Sequence, residues 1–239
     1  MTAGVFSRRL EGVRRAARGV GPLRSAWLLL RAAGGAFEDG RRRNRRRVDR
    51  EFSVPDPWSY ATSEIEQECF RHQLSVLDRS RDGRLFREAC EIGCAEGFFT
   101  ERLAERCESL LALELSPTAL ARARERCDWG EHVRFARWDL RADPLPGTFD
   151  LIVLAGVLEY FDRRAALRAA RDKVVAGLRP GGRLFLVTTR SPVAEDSWWG
   201  RAFPRGARIN EFVGRHRSLR SLMSEGADEY VIDLFEKAS

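Results

Sequence analysis

Residues 91–97 read Glu-Ile-Gly-Cys-Ala-Glu-Gly and set two carboxylates, Glu91 and Glu96, among three small residues, Gly93, Ala95 and Gly97. A glycine turn of this kind lets a ligand approach bare backbone. A dinucleotide loop spells G-x-G-x-x-G and seats a pyrophosphate on the next helix N-terminus. Two carboxylates here would repel that pyrophosphate, so the turn suits a ligand carrying ammonium or sulfonium charge. Ala95 is tolerable in such a turn only with a negative φ. A second acid, Glu114, lies 23 residues after Glu91 and ends the apolar run Leu110-Leu-Ala-Leu-Glu. An acid about 20 residues past a glycine turn reaches the hydroxyls of a bound ribose. Asp139 ends Val133-Arg-Phe-Ala-Arg-Trp138 and suits an exocyclic adenine amine. A carboxylate closing an apolar strand is costly unless paired, and a ribose or an adenine supplies partners. Proton removal from an acceptor needs another ionisable group. Glu159, Tyr160, Asp162 and His132 are the candidates nearest the expected strand ends, with Glu159 first because it follows the fourth apolar run directly. The plain alternatives are a helix cap or surface carboxylate for Glu159 and an exposed loop residue for His132. His72 and His216 fall in helical patterns and read as structural.

These residues need elements to hold them. Residues 89–103 read as a short strand, a glycine turn and a helix start. Ser116 is a good N-cap and Pro117 fits the first helical position. Phe149-Asp-Leu-Ile-Val-Leu-Ala155 is a fourth strand, and Pro180-Gly181-Gly182 leads into a fifth, Arg183-Leu-Phe-Leu-Val187. Asp162 is expected to cap a helix from Arg163 to Leu178. Ser63-Glu-Ile-Glu66 is a capping box, and Ile65, Cys69, Phe70, Leu74 and Leu77 give the helix behind it an apolar face. Five strand–helix units imply a mostly parallel α/β sheet. Residues 190–206 read as a loop bearing Trp198, Trp199 and Phe203, and a short helix near Ala207–His216 follows. Leu219–Ser224 and Tyr230–Phe235 read as a terminal antiparallel hairpin.

The ordered series Glu91–Gly97, Glu114, Asp139, Phe149–Phe161 and Leu178–Val187 resembles the class I S-adenosylmethionine-dependent methyltransferases. A narrower resemblance, to the nodulation protein S group, rests on Asp56-Pro57-Trp58-Ser59-Tyr60-Ala61-Thr62-Ser63, Glu66-Gln67, Phe70, Ser116–Ala123 and Gly206-Ala207 before Ile209-Asn210. The chain departs from that group in its arginine-rich front, in Ala155-Gly156 and in Glu159-Tyr160. The resemblance implies a doubly wound, seven-stranded Rossmann-like sheet with an antiparallel C-terminal hairpin. It implies S-adenosylmethionine held by Glu91, Gly93, Cys94, Ala95, Gly97, Glu114, Leu115, Asp139, Leu140 and Ala155, with Trp58 and Tyr60 closing over it. It also implies a small-molecule acceptor, an amine of an amino sugar or chitin-like oligosaccharide. O-methylation of a natural product and a methyltransferase-like binding protein are the alternatives. Methyl transfer from a sulfonium needs no metal and no covalent intermediate. A nicotinamide oxidoreductase is disfavoured by the missing G-x-G-x-x-G. A nucleobase methylase is disfavoured by Leu154-Ala-Gly-Val157, where Asn/Asp-Pro-Pro-aromatic would be expected.

Composition sets the outer limits. The chain has 239 residues, 44% hydrophobic and 10% aromatic, enough for one ordinary domain. Residues 1–50 carry 14 arginines against Glu11, Glu38, Asp39 and Asp49, a net of +10, which leaves −3 for the rest of a chain of total charge +7. They are expected to form a peripheral or flexible basic segment ahead of a methyltransferase domain over 51–239. The run Arg41-Arg-Arg-Asn-Arg-Arg-Arg47 could meet an anionic surface, whereas the acidic body gives nucleic acid no support as a substrate. No secretory signal or membrane-length apolar run is evident. Cys69, Cys90, Cys94, Cys107 and Cys127 form no C-x-x-C pair, which points to reduced, buried thiols in a cytoplasmic protein.

Overall fold

A computed structural model describes residues 40–127, 130–161, 163–189 and 206–238. Its elements are α1 (Gly40–Glu51), α2 (Glu64–Ser80), β1 (Ala89–Ile92), α3 (Phe98–Ala104), β2 (Leu110–Glu114), α4 (Pro117–Arg126), β3 (Val133–Arg137) and β4 (Phe149–Ala155). A 3-10 turn (Leu158–Tyr160) follows, then α5 (Arg164–Gly177), β5 (Leu178–Thr189), α6 (Gly206–Gly214), β6 (Leu219–Gly226) and β7 (Tyr230–Lys237). The seven strands pair in the order β3-β2-β1-β4-β5-β7-β6. β1 to β5 run parallel, and β7 is antiparallel to both β5 and β6. The expected doubly wound sheet and terminal hairpin are both present.

Side-chain alternation divides the core. Leu151 and Val153 of β4 pack with Phe70, Leu77 and Phe99 on the face covered by α2 and α3. Ile152 and Leu154 pack with Leu167 and Val174 of α5 on the other face. A strand buried on both faces needs apolar residues at both parities, which is why β4 reads as an unbroken run. Capping fixes where helices begin: the Ser63 hydroxyl accepts from Glu66 N (3.4 Å) and the Ser116 hydroxyl from Ala119 N (3.3 Å). Thr188, Asn210 and Asp233 form a buried chain that fastens α6 to β5 and β7, with Thr188 Oγ1 donating to Asn210 Oδ1 and Asn210 Nδ2 to Asp233 Oδ2.

Four expectations need correction. The boundary drawn at residue 50 falls inside α1, and Val48 (7% exposed) and Phe52 (2%) are buried against Ala119. The end of the basic segment is therefore packed onto the body, because an apolar i, i+4 pair interrupts its charge run. Pro180-Gly181-Gly182 does not precede β5 but lies inside it, where the register with β4 jumps from Phe149↔Leu178 to Leu151↔Arg183. A Cβ at Gly182 would meet Arg179 O at 2.8 Å and Phe149 O at 3.0 Å, so the bulge admits only glycine there. The residue capping α5 is Arg163, without a side-chain cap, while Asp162 lies outside the described residues. Ile65, assigned to the apolar face of α2, is 45% exposed. The segment with Trp198, Trp199 and Phe203 also lies outside the described residues. All five cysteines are buried free thiols. Among the described residues no helix is long and apolar enough to cross a membrane.

Candidate functional site

The carboxyl ends of β1 to β4 converge on one mouth. β1 delivers Glu91, 4% exposed, whose Oε2 accepts from Thr100 Oγ1 at 2.6 Å. Burial pushes its carboxyl up to about 7; the Thr100 bond opposes this and the Glu114 charge adds to it. The turn after β1 places Gly93 (φ 81), Ala95 (φ 51) and Gly97 (φ 83) in the left-handed region. Ala95 thus contradicts the expected negative φ. Its N–H donates to Glu114 Oε2 at 3.0 Å, and that tertiary bond holds an alanine where isolated sterics disfavour it. A Cβ at Gly93 would meet Val157 Cγ2 at 2.5 Å, and one at Gly97 would meet Cys127 Sγ at 3.0 Å. Both glycines serve close packing as well as backbone access. Cys94 is 3% exposed and packs with Ala112, Leu120 and Ala123, so only its backbone faces the mouth.

Glu114, at the end of β2, is 6% exposed. Its Oε1 accepts from Leu115 N (2.6 Å) and Ser116 N (2.8 Å), and its Oε2 from Ala95 N. A carboxylate has about four acceptor positions, so one remains on Oε2 for a ligand hydroxyl. Burial raises the Glu114 pKa, the three N–H bonds lower it and the Glu51 charge raises it. Asp139, just past β3, accepts from Arg141 N at 3.0 Å through Oδ1. Its Oδ2 is buried and accepts no hydrogen bond among the described residues; the Arg45 guanidinium stands 3.5 Å away as an ion pair. A buried acceptor of this kind fits an exocyclic amine. Leu115 borders the mouth beside Ala95 and Tyr160, whereas the Leu140 side chain belongs to the core around α5 and Ala155 packs toward the α2 and α3 side.

Trp58 and Tyr60 form part of an aromatic chain running from Phe52 through Trp58 and Tyr60 to Phe70 and Phe98, with centroids 5.0–5.8 Å apart. Their loop is pinned by Asp56, whose carboxylate accepts from Tyr60 N (2.7 Å) and Ala61 N (2.9 Å). Glu96 was expected to turn its charge toward the ligand. It instead accepts from Asp56 N (2.8 Å) and Arg122 Nη1 (2.5 Å), tying that loop to the glycine turn.

Of the four proton-transfer candidates Asp162 lies outside the described residues, and the structure separates the other three. His132 precedes β3, and its carbonyl accepts from Leu110 N at the start of β2; it lies at the amino end of the sheet, away from the mouth. Strand polarity decides this, since a residue preceding a parallel strand faces the opposite end. Glu159 Oε1 accepts from Thr189 N at 2.9 Å, linking the 3-10 turn to the end of β5. Tyr160 faces the mouth, with its hydroxyl donating to Glu51 Oε2. Sequence reasoning missed Arg45, Arg47, Val48, Glu51 and Phe52. The signal available was Val48 and Phe52, spaced i, i+4 in an otherwise charged run.

Buried acids within β1, at the end of β2 and just past β3, a left-handed turn under bare backbone and the 3-2-1-4-5-7-6 sheet define an S-adenosylmethionine-dependent methyltransferase of class I. The family model for nodulation protein S matches residues 40–228, and the chain belongs to that family. It is 34% identical over 159 residues to nodulation protein S of Bradyrhizobium diazoefficiens, covering 66% of this chain and 74% of the relative. The solved N-methyltransferase NodS of Bradyrhizobium japonicum WM9, in complex with S-adenosyl-L-homocysteine, matches with a TM-score of 0.67 and 26% identity, over 82% of this chain and 99% of that one. The chain is also 32% identical over 105 residues to a ubiquinone biosynthesis O-methyltransferase of Methylococcus capsulatus, covering 43% of each. Among the described residues no group of three His, Cys, Asp or Glu side chains could hold a metal ion.

Proposed function

We propose that the protein methylates the amine of a small acceptor, an amino sugar or an oligosaccharide carrying one. The observation that carries this reading is the match over residues 40–228 to a family whose solved Bradyrhizobium relative is an N-methyltransferase. Bound S-adenosylmethionine supplies a methyl group open to in-line displacement. The protein's task is then alignment at about 3–3.5 Å, an effect worth roughly 7–11 kcal/mol.

The residues divide that task. The backbone of Gly93 to Gly97 receives the charged methionyl end beside Glu91. Glu114 Oε2 takes a ribose hydroxyl, Leu115 borders the base and Asp139 Oδ2 takes the adenine amine. Trp58 and Tyr60 offer aromatic faces to the sulfonium, worth about 0.5–2 kcal/mol. Five buried thiols suit a reducing compartment, and we place the protein in the cytoplasm. Similarity to an O-methyltransferase favours a hydroxyl acceptor as the second reading. The test is methyl-labelled cofactor with a matched panel of amino sugars, their N-acetyl forms and phenols. Label in the free amines alone is expected; label in phenols alone would establish the second reading.

A further inference from the structure

We infer that Glu51 and Tyr160 form the proton-accepting end of the acceptor pocket, Tyr160 meeting the acceptor nitrogen and Glu51 taking up the proton behind it. The inference rests on the amine reading above.

Glu51 is the last residue of α1 and Tyr160 the last of the 3-10 turn after β4, so two elements far apart in sequence meet at these side chains. Tyr160 Oη donates to Glu51 Oε2 at 2.5 Å. The Glu51 side chain is only 8% exposed, so a proton transfer to it takes place out of bulk water. The Tyr160 ring packs against the Val48, Phe52 and Ala119 cluster, as do Trp58, Leu115 and Ala95 of the glycine turn, and the 3-10 turn carries it just past the carboxyl end of β4. Glu51 is also close enough to Glu114 for its charge to act there, so the pair and the ribose acid share one mouth. Among the described residues, charged groups reach the pair from α1, from β2 and from the loop after β3. Arg47 on α1 stands 3.9 Å from Glu51 Oε1 with its guanidinium 4.3 Å from the Tyr160 ring centroid. Arg141 donates to the Tyr160 carbonyl from the loop after β3, and Glu114 faces from β2. The Arg45–Asp139 pair lies beyond them. Glu159, by contrast, is turned to Thr189.

An amine acceptor arrives as an ammonium and has no lone pair until a proton leaves. In the inferred step the ammonium N–H donates to Tyr160 Oη. Its proton passes to Oη as the phenolic proton passes to Glu51 Oε2. The carboxylate becomes a neutral acid, the phenol is regenerated and the amine gains its lone pair. After the methylated ammonium departs, Glu51 returns its proton to water.

The test compares wild type with Glu51→Gln and Tyr160→Phe, both nearly isosteric, using glucosamine and a chitin oligosaccharide with one free amine. Three quantities are read: calorimetric affinity for S-adenosylhomocysteine, calorimetric affinity of the S-adenosylhomocysteine complex for the amine across pH, and kcat and KM. Cofactor-product affinity should stay within a few-fold. At neutral pH kcat/KM should fall by about 10²–10⁴-fold in Glu51→Gln, mostly in kcat, and recover as pH approaches the amine's own pKa. Amine affinity should vary little with pH in wild type, yet climb by up to about tenfold per pH unit in Glu51→Gln, which can bind only the neutral form. Wild-type rates and pH profile in Glu51→Gln would overturn the inference and leave the proposed function standing. Wild type that binds S-adenosylhomocysteine but methylates no amine would overturn the proposed function, and the inference with it. Loss of S-adenosylhomocysteine binding in both variants would assign the pair to holding α1 in place and overturn its proton role.

Discussion

Glu91, Glu114 and Asp139 reach one mouth from three parallel strands, and each is buried among different partners. Glu114 is held by three N–H groups and keeps one acceptor position. Glu114→Ala removes that position and the anchor of Ala95 together. The affinity for S-adenosylhomocysteine should fall by about 1–3 kcal/mol in calorimetry, and an unchanged value would remove Glu114 from the site. The Ala95 φ of 51 is held by the same bond. Ala95→Gly should hold or raise the thermal midpoint, by up to about 1 kcal/mol of relieved strain, while Ala95→Val should lower it; the opposite order would show that the left-handed conformation is not adopted. Glu91 has a folded pKa of about 7 against an ordinary value of 4.5. Its stabilising contribution is therefore complete below about pH 4.5 and is lost as pH rises through about 7. Glu91→Gln should flatten that part of a melting-versus-pH profile, and a parallel profile would mean that Glu91 is not shifted. Glu114 and Asp139 were legible because each closes a strand-like run, and Glu91 because it opens the glycine turn. The φ of Ala95, the direction of Glu96 and the role of Glu51 were not, since each depends on a partner distant in sequence: Glu114, Arg122 and Tyr160.

α1 is where reading by composition failed. Arginine content marked residues 1–50 as peripheral, yet Val48, Phe52 and the Arg45–Asp139 pair bind the end of that segment over the mouth. Burial of each apolar side chain stabilises by about 1.5–3 kcal/mol. A chain starting at Gly40 should retain its affinity for S-adenosylhomocysteine. One starting at Ser53 should melt earlier and bind more weakly, because Ala119 and Leu115 lose their cover. Equal affinity in the two truncations would show that α1 plays no part in the site. The parallel strands were easier to read, since apolar runs punctuated by caps and glycines are local signals. The span of β5 was not, because its bulge depends on the register with β4.

The molecule as a whole unites a sheet order that brings four strand ends together, carboxylates at those ends, and a basic helix whose arginines Arg45 and Arg47 stand against Asp139 and Glu51. The charge is uneven along the chain: residues 1–50 carry a net +10 and the rest −3, and one of the front arginines, Arg45, reaches Asp139. The proposed activity is transfer of a methyl group to an amine. The most direct test is to incubate the purified protein with carbon-13 methyl S-adenosylmethionine and a chitin oligosaccharide bearing one free amine, beside the fully N-acetylated form, and to locate the label by NMR. The account predicts an N-methyl resonance on the free-amine oligosaccharide and no label on the acetylated one. A methyl on oxygen in either compound, or no label in both while S-adenosylhomocysteine binds, would contradict it.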